Sequence, residues 1–129
     1  MIRVPIYKPG KQAAARIELR SPDPMANPYL VNTVTLAAGL DGIKRGLELP
    51  EEATSELLRL PESELRARGI EPLPSNLDEA LDVFESSDFM KDALGEHIHS
   101  FFLKKKRAEW ERFNSTVTEW ELRHYLANS

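Results

Sequence analysis

Cysteine is absent from the 129 residues, which excludes disulfides, thiolate nucleophiles and Cys-based zinc sites. No apolar run approaches the ~20 residues that a membrane-spanning helix needs. The opening Met1-Ile2-Arg3-Val4-Pro5 lacks the apolar segment of a signal peptide. Neither sign of charge dominates. With 17 Lys+Arg against 21 Asp+Glu, the formal charge of −4 argues against a general nucleic-acid binder. Internal repeats and low-complexity tracts are also missing. What is present, 41% hydrophobic and 29% charged residues, is the composition of a folded domain. A chain this long can bury roughly two-thirds of its unfolded surface. The expectation is a cytoplasmic chain with no nucleic-acid or membrane partner, and composition alone names no reaction.

The first twenty residues carry strand periodicity. Ile2, Val4 and Ile6 alternate with Arg3, Pro5 and Tyr7, and Arg16-Ile17-Glu18-Leu19-Arg20 alternates again after a Pro9-Gly10 turn signal. This predicts an antiparallel hairpin whose second strand shows Arg16, Glu18 and Arg20 on one face and Ile17 and Leu19 on the other. Pro22 and Pro24 end it.

Helices are expected beyond that point. Asn27-Pro28 is a start signal, and Leu30, Val34, Leu36, Ala37, Leu40 and Ile43 give a broad apolar face running to about Leu49, before Pro50. Gly39 and Gly42 within this stretch suggest close packing against another backbone, since each costs about 1 kcal/mol of helix propensity. A short helix over 61–68 stops at Gly69, another begins after Ser75-Asn76, and Ser87 caps a third through Leu94. Gly95 interrupts; Ile98, Phe101 and Phe102 line a longer helix. Thr118-Glu119-Trp120-Glu121 fits a capping box, which starts a last helix that frays near Ala127. The fold class is therefore α+β, mostly α: a β-hairpin over 1–20 and a region of five or six helices over 27–129. A two-stranded sheet is marginal alone in water, so this hairpin looks cut from a larger sheet.

Arg16-x-Glu18-x-Arg20 is the sharpest chemical feature, with Arg3 near by on the partner strand. Glu offers a hard oxygen ligand of the kind Mg²⁺ or Mn²⁺ takes, and Arg a fork matched to phosphate and carboxylate. Such a set suits an anionic, metal-bound phosphoryl group; a solvated strand face with cross-strand ion pairs is the plainer alternative.

The surrounding sequence favours the first reading. Arg16-Ile17-Glu18-Leu19-Arg20-Ser21-Pro22-Asp23-Pro24, Asn27-Pro28-Tyr29-Leu30 and Leu36-Ala37-Ala38-Gly39-Leu40-Asp41-Gly42-Ile43-Lys44 closely resemble the C-terminal part of bacterial-type glutamine synthetase, glutamate–ammonia ligase. Ile2-Arg3-Val4-Pro5 looks like the tail of that family's Asn-Arg-Ser-x-x-Ile-Arg-x-Pro motif. Leu73-Pro74-Ser75-Asn76-Leu77, Ala93-Leu94-Gly95-Glu96-His97-Ile98, Lys106-Arg107-Ala108-Glu109-Trp110 and Val117-Thr118-Glu119-Trp120-Glu121 match as well.

The resemblance implies ATP-dependent ligation of L-glutamate and ammonia through γ-glutamyl phosphate, at a site holding Mg²⁺ or Mn²⁺. It makes Glu18 a metal ligand, Arg20 the catalytic arginine that contacts substrate glutamate, and Arg3 and Arg16 contacts to the ATP phosphates. The chain is then a C-terminal fragment of the catalytic domain, inactive by itself, with a homo-oligomer or full-length glutamine synthetase subunits as partners. The alternative is a non-catalytic truncated subunit that associates with, or modulates, the full-length enzyme. Some family members carry an adenylylated Tyr before a Leu-Pro pair; here Leu57-Leu58-Arg59-Leu60-Pro61 has none.

Three further features have plainer readings. His97 and His99 stand two apart on a helix, face different ways, and read as surface or interface residues rather than a metal clamp. Lys104-Lys105-Lys106-Arg107 reads as a solvated helix face partly neutralised by Glu109 and Glu111. Trp110 and Phe113 read as core, Trp120 and Tyr125 as a surface for a partner.

Overall fold

The computed structural model describes residues 2–6, 9–50, 52–53 and 57–126. Strands β1 (Ile2–Arg3) and β2 (Glu18–Leu19) pair antiparallel, with Ile2 opposite Leu19 and Arg3 opposite Glu18. The expected hairpin is there, but its ladder is only two residues per strand. Ile2, Val4, Ile6 and Ile17 all lie exposed. With no second layer among the described residues to take its apolar side chains, the pairing has little to extend it. Tyr7, expected to continue the alternation, lies outside the described residues. The strands are joined through the Pro9-Gly10 turn and a 3₁₀ turn at Gln12–Ala14.

Helix α1 (Pro28–Arg45) starts as its sequence dictates: the Asn27 side-chain oxygen accepts from Tyr29 N–H at 2.9 Å, and Pro28 occupies the first helical position. It ends earlier than expected. Gly46 adopts a left-handed conformation (φ 61°, ψ 38°) and Leu47 N–H reaches back to the Gly42 carbonyl at 3.0 Å. This glycine stop closes the helix before Pro50 can act. The expected close packing at Gly39 and Gly42 is not found. A Cβ at Gly39 would meet nothing within 4 Å, and one at Gly42 would meet only the tip of Leu47 at 4.0 Å.

Helices α2 (Glu62–Ala67), α3 (Leu77–Ser86), α4 (Asp88–Leu94) and α5 (Glu96–Asn114) follow, then the single turn α6 (Glu119–Glu121), which runs on as a π-helical turn over Leu122–Leu126. The expected end near Ala127 lies outside the described residues. Caps fix these starts. Asn76 accepts from Glu79 N–H at 2.9 Å, while the Glu79 carboxylate accepts from both the backbone N–H and the hydroxyl of Ser75. Ser87 accepts from Met90 N–H at 3.2 Å. The Thr118 capping box is formed in both directions, Glu121 accepting from Thr118 N–H at 2.7 Å.

Packing centres on α5. Helix α3 lies along it, and α4 packs on both α5 and α1. Leu81 of α3, 2% exposed, and His99 of α5, 4% exposed, are the buried centre among the described residues. His99 is therefore core, contrary to its surface reading. Its ring lies nearly parallel to Phe84 at 4.5 Å, and Nε2 stands 3.0 Å from the Phe84 carbonyl. A carbonyl only accepts, so Nε2 carries the proton and donates. Phe113 corrects the opposite way: it is exposed, stacked on half-buried Trp110 at 5.9 Å.

The chain leaves 11496 Å² accessible. A compact monomer of 14.7 kDa exposes roughly 7,000 Å². The surplus is the signature of an incompletely covered fold.

Candidate functional site

Because successive strand side chains alternate, Arg16, Glu18 and Arg20 share one face, and the strand register sets Arg3 directly opposite Glu18. The structure brings all four together. Arg3 donates to Glu18 Oε2 at 3.1 Å, Arg20 to the same oxygen at 3.4 Å, and Arg16 to Oε1 at 3.5 Å. The Glu18 side chain is 28% exposed, less than any of its three partners. The hydrogen bond from Arg3, reinforced by Arg3's charge and then by Arg20, holds the Glu18 carboxyl below the usual carboxylate range, against a smaller opposing effect of desolvation.

Three guanidiniums around one carboxylate leave a surplus of positive charge. Among the described residues each arginine keeps donors free on its exposed side, so the face can receive an anion with several oxygens. It is not, by itself, a seat for a divalent cation. Both Glu18 oxygens are engaged by guanidiniums, and among the described residues no three His, Asp or Glu side chains lie close enough to hold a metal ion. Mg²⁺ prefers near-octahedral oxygen coordination, which one carboxylate cannot supply.

The histidines do not converge: His97 is exposed beside Phe101, while His99 is committed to Phe84. Two groupings went unread in the sequence. Arg107 leaves the supposed solvated run to clamp α5 onto α3, donating to Asp78 at 2.5 Å, Asp82 at 2.5 Å and Glu85 at 3.1 Å. These carboxylates, Asp82 first, raise the Arg107 pKa further above its already high value. Their i, i+4, i+7 spacing on α3 was the available signal. Arg66 likewise bridges Glu62 at 2.8 Å and Glu71, and the three line an open cavity of about 730 Å³ together with Leu73, Pro74 and Val83. Lys106 does behave as a helix-surface residue, paired with Glu109 at 2.7 Å.

Comparison with known proteins decides what the arginine–glutamate face belongs to. The family model described as "Glutamine synthetase, catalytic domain" matches residues 1–125. The chain belongs to the glutamine synthetase family. The glutamine synthetase of Methanococcus maripaludis is 48% identical over 126 residues, which are 98% of this chain and 28% of that protein. That of Mycobacterium tuberculosis H37Rv is 47% identical over 127 residues, again 98% of this chain and 28% of the other. That of Clostridium saccharobutylicum is 42% identical over 126 residues, with the same shares. The chain thus spans little more than a quarter of the length of these glutamine synthetases. The family match runs through the hairpin and all six helices, so the cluster around Glu18 and the α3–α5 pair lie within one glutamine synthetase segment.

Proposed function

We propose that this chain supplies one wall of a glutamine synthetase active site, in which ATP phosphorylates the side-chain carboxyl of L-glutamate and ammonia then displaces the phosphate. The single observation that carries the reading is the convergence of Arg3, Arg16 and Arg20 on Glu18 within a family-matched hairpin. Arg20 contacts substrate glutamate and offsets the charge that grows on its carboxyl during transfer. Arg3 and Arg16 take the ATP phosphates, as the free guanidinium donors allow. Glu18 contributes one oxygen to a Mg²⁺ or Mn²⁺ site whose remaining ligands these residues do not provide. Residues 1–20 are then a strip of the active-site sheet and 27–129 the helical region beside it, the C-terminal part of the catalytic domain. We also place it in the cytoplasm, working within an oligomer. Lacking a tyrosine before Leu60-Pro61, it escapes control by adenylylation.

The isolated chain neither turns over nor binds ATP specifically, because the other elements of the site lie elsewhere. A steady ADP yield from it, dependent on glutamate and ammonia, overturns this statement. The stronger test is complementation: the chain is co-expressed with a related glutamine synthetase lacking the matching segment. Restored ligase activity supports the reading, and Arg20→Ala then lowers kcat by about 100-fold or more, the usual cost of removing one preorganised charge. Restored activity indifferent to Arg20→Ala sinks its assigned role.

The exposed apolar residues of the hairpin favour a second reading, a non-catalytic subunit that joins full-length glutamine synthetase and modulates it. Mixing the chain with the full-length enzyme, then measuring particle size and activity, separates the two. Absence of co-assembly ends the modulator reading.

A further inference from the structure

We propose that Arg3, Arg16 and Arg20 hold the Glu18 carboxylate closed to a divalent cation, and release it only when an oxyanion of the polyphosphate class takes the guanidiniums instead. Such a switch rests on the role of these arginines as phosphate contacts and adds an order of entry to it.

The carboxylate is occupied on both oxygens. Arg3 and Arg20 donate to Oε2 and Arg16 to Oε1, so three of its roughly four lone-pair positions face guanidinium N–H groups. Glu18 is also the least exposed of the four side chains. A divalent cation arriving alone would have to part a guanidinium from Glu18 and then stand among three like charges. Coulomb repulsion opposes that step, and a single carboxylate offers little coordination in return.

The hold is nevertheless loose. Its contacts run at 3.1, 3.4 and 3.5 Å, each from one nitrogen. Well-formed charge-assisted bonds lie at about 2.7–2.9 Å, and arginine grips best with two nitrogens on two oxygens. Arg16 divides its donors further, sending a second nitrogen to the Ala14 carbonyl at 3.4 Å. Arg107, which clamps two helices, reaches its nearest acids at 2.5 Å. A polyphosphate therefore offers the three guanidiniums a better partner than the one they have, with more charge and more oxygens. Glu18, left without its arginines and now beside an anion, becomes a cation ligand. Carboxylate plus phosphate oxygen is the donor set by which Mg²⁺ is commonly held. By linkage, whatever factor phosphate adds to cation affinity, the cation adds to phosphate affinity.

The test uses the full 129-residue chain, with Mn²⁺ and inorganic pyrophosphate as separate probes read by carboxyl and guanidinium nuclear magnetic resonance. Mn²⁺ alone is expected to broaden the Glu18 carboxyl signal less than that of exposed Glu48. Arg3→Gln, and Arg20→Gln on the other strand, each let Glu18 broaden at about 10-fold lower Mn²⁺, with Ile2 still paired to Leu19. Arg66→Gln, in a separate ion-pair cluster, changes nothing at Glu18. Pyrophosphate without metal shifts Arg3, Arg16 and Arg20 together and abolishes the nuclear Overhauser contact between the Arg3 guanidinium and Glu18. Should pyrophosphate leave the three arginines untouched, their role as phosphate contacts falls along with the switch. Should it bind them while the Arg3–Glu18 contact persists, the switch alone is overturned. Mn²⁺ that broadens Glu18 equally in the natural chain and in both arginine variants overturns it too.

Discussion

The N-terminal hairpin and the α3–α5 helical pair solve opposite problems with the same ingredients. Both are tied by arginine to carboxylate. In the helical pair, one arginine meets three acids, and the clamp sits beside a packed seam built from Leu81, Phe84, His99 and Phe102. In the hairpin, one acid meets three arginines, and among the described residues nothing apolar closes behind it. The first arrangement spends its charges on holding helices together. The second leaves charge over and solvent-facing, which is what a site needs and what a scaffold avoids.

Several substitutions test that contrast. The largest effect belongs to Leu81→Ala, expected to cost about 2–5 kcal/mol by the usual range of core truncations, a large fraction of the roughly 5–15 kcal/mol that holds a domain folded. Urea unfolding followed by circular dichroism measures it. The matching change in the hairpin, Leu19→Ala, should stay within about 0.5 kcal/mol. Equal losses at the two positions would show that the hairpin is integrated into the core.

A smaller effect is expected from Asn76→Ala, about 1 kcal/mol for a lost helix cap, with Asn76→Gly recovering most of it. Arg107→Met comes next: it leaves Asp78, Asp82 and Glu85 facing one another and lowers the melting temperature by a few degrees. Molar salt should narrow that gap, since screening weakens ion pair and repulsion alike.

The finest test is titration of Glu18. Its folded pKa is depressed, so its stabilising contribution is present above the unfolded pKa and is lost as pH falls through the folded one. Carboxyl chemical shifts should show a midpoint below the ordinary range, moving upward in Arg3→Gln. Glu79, held down by the Ser75 N–H and hydroxyl, should not respond to that substitution. A Glu18 midpoint unchanged by Arg3→Gln would dissolve the cluster.

Much of this was legible in the residues. Asn27, Ser87, Gly69, Gly95 and Thr118 mark boundaries through local chemistry that needs no partner, and the structure bears each of them out. The shared face of Arg16, Glu18 and Arg20 also followed from strand alternation alone. What escaped depends on which neighbour arrives. His99 lies buried only because α3 lays Phe84 against it, and Arg107 leaves its basic run only because α3 presents three acids at helical spacing. Gly46 was passed over for Pro50, although a left-handed glycine can end a helix before any proline is reached.

Gly95 closes α4 and opens α5 within a single residue, at φ 75° and ψ 151°, a region that side-chain-bearing residues essentially never occupy. Helix α1 rests on α4, and α4 both packs on α5 and joins it at this residue. A side chain at residue 95 would oppose that backbone angle, so a substitution there would disturb the α4–α5 packing and, through α4, the seat of α1. Where the first helix sits thus depends on the one amino acid that has no side chain.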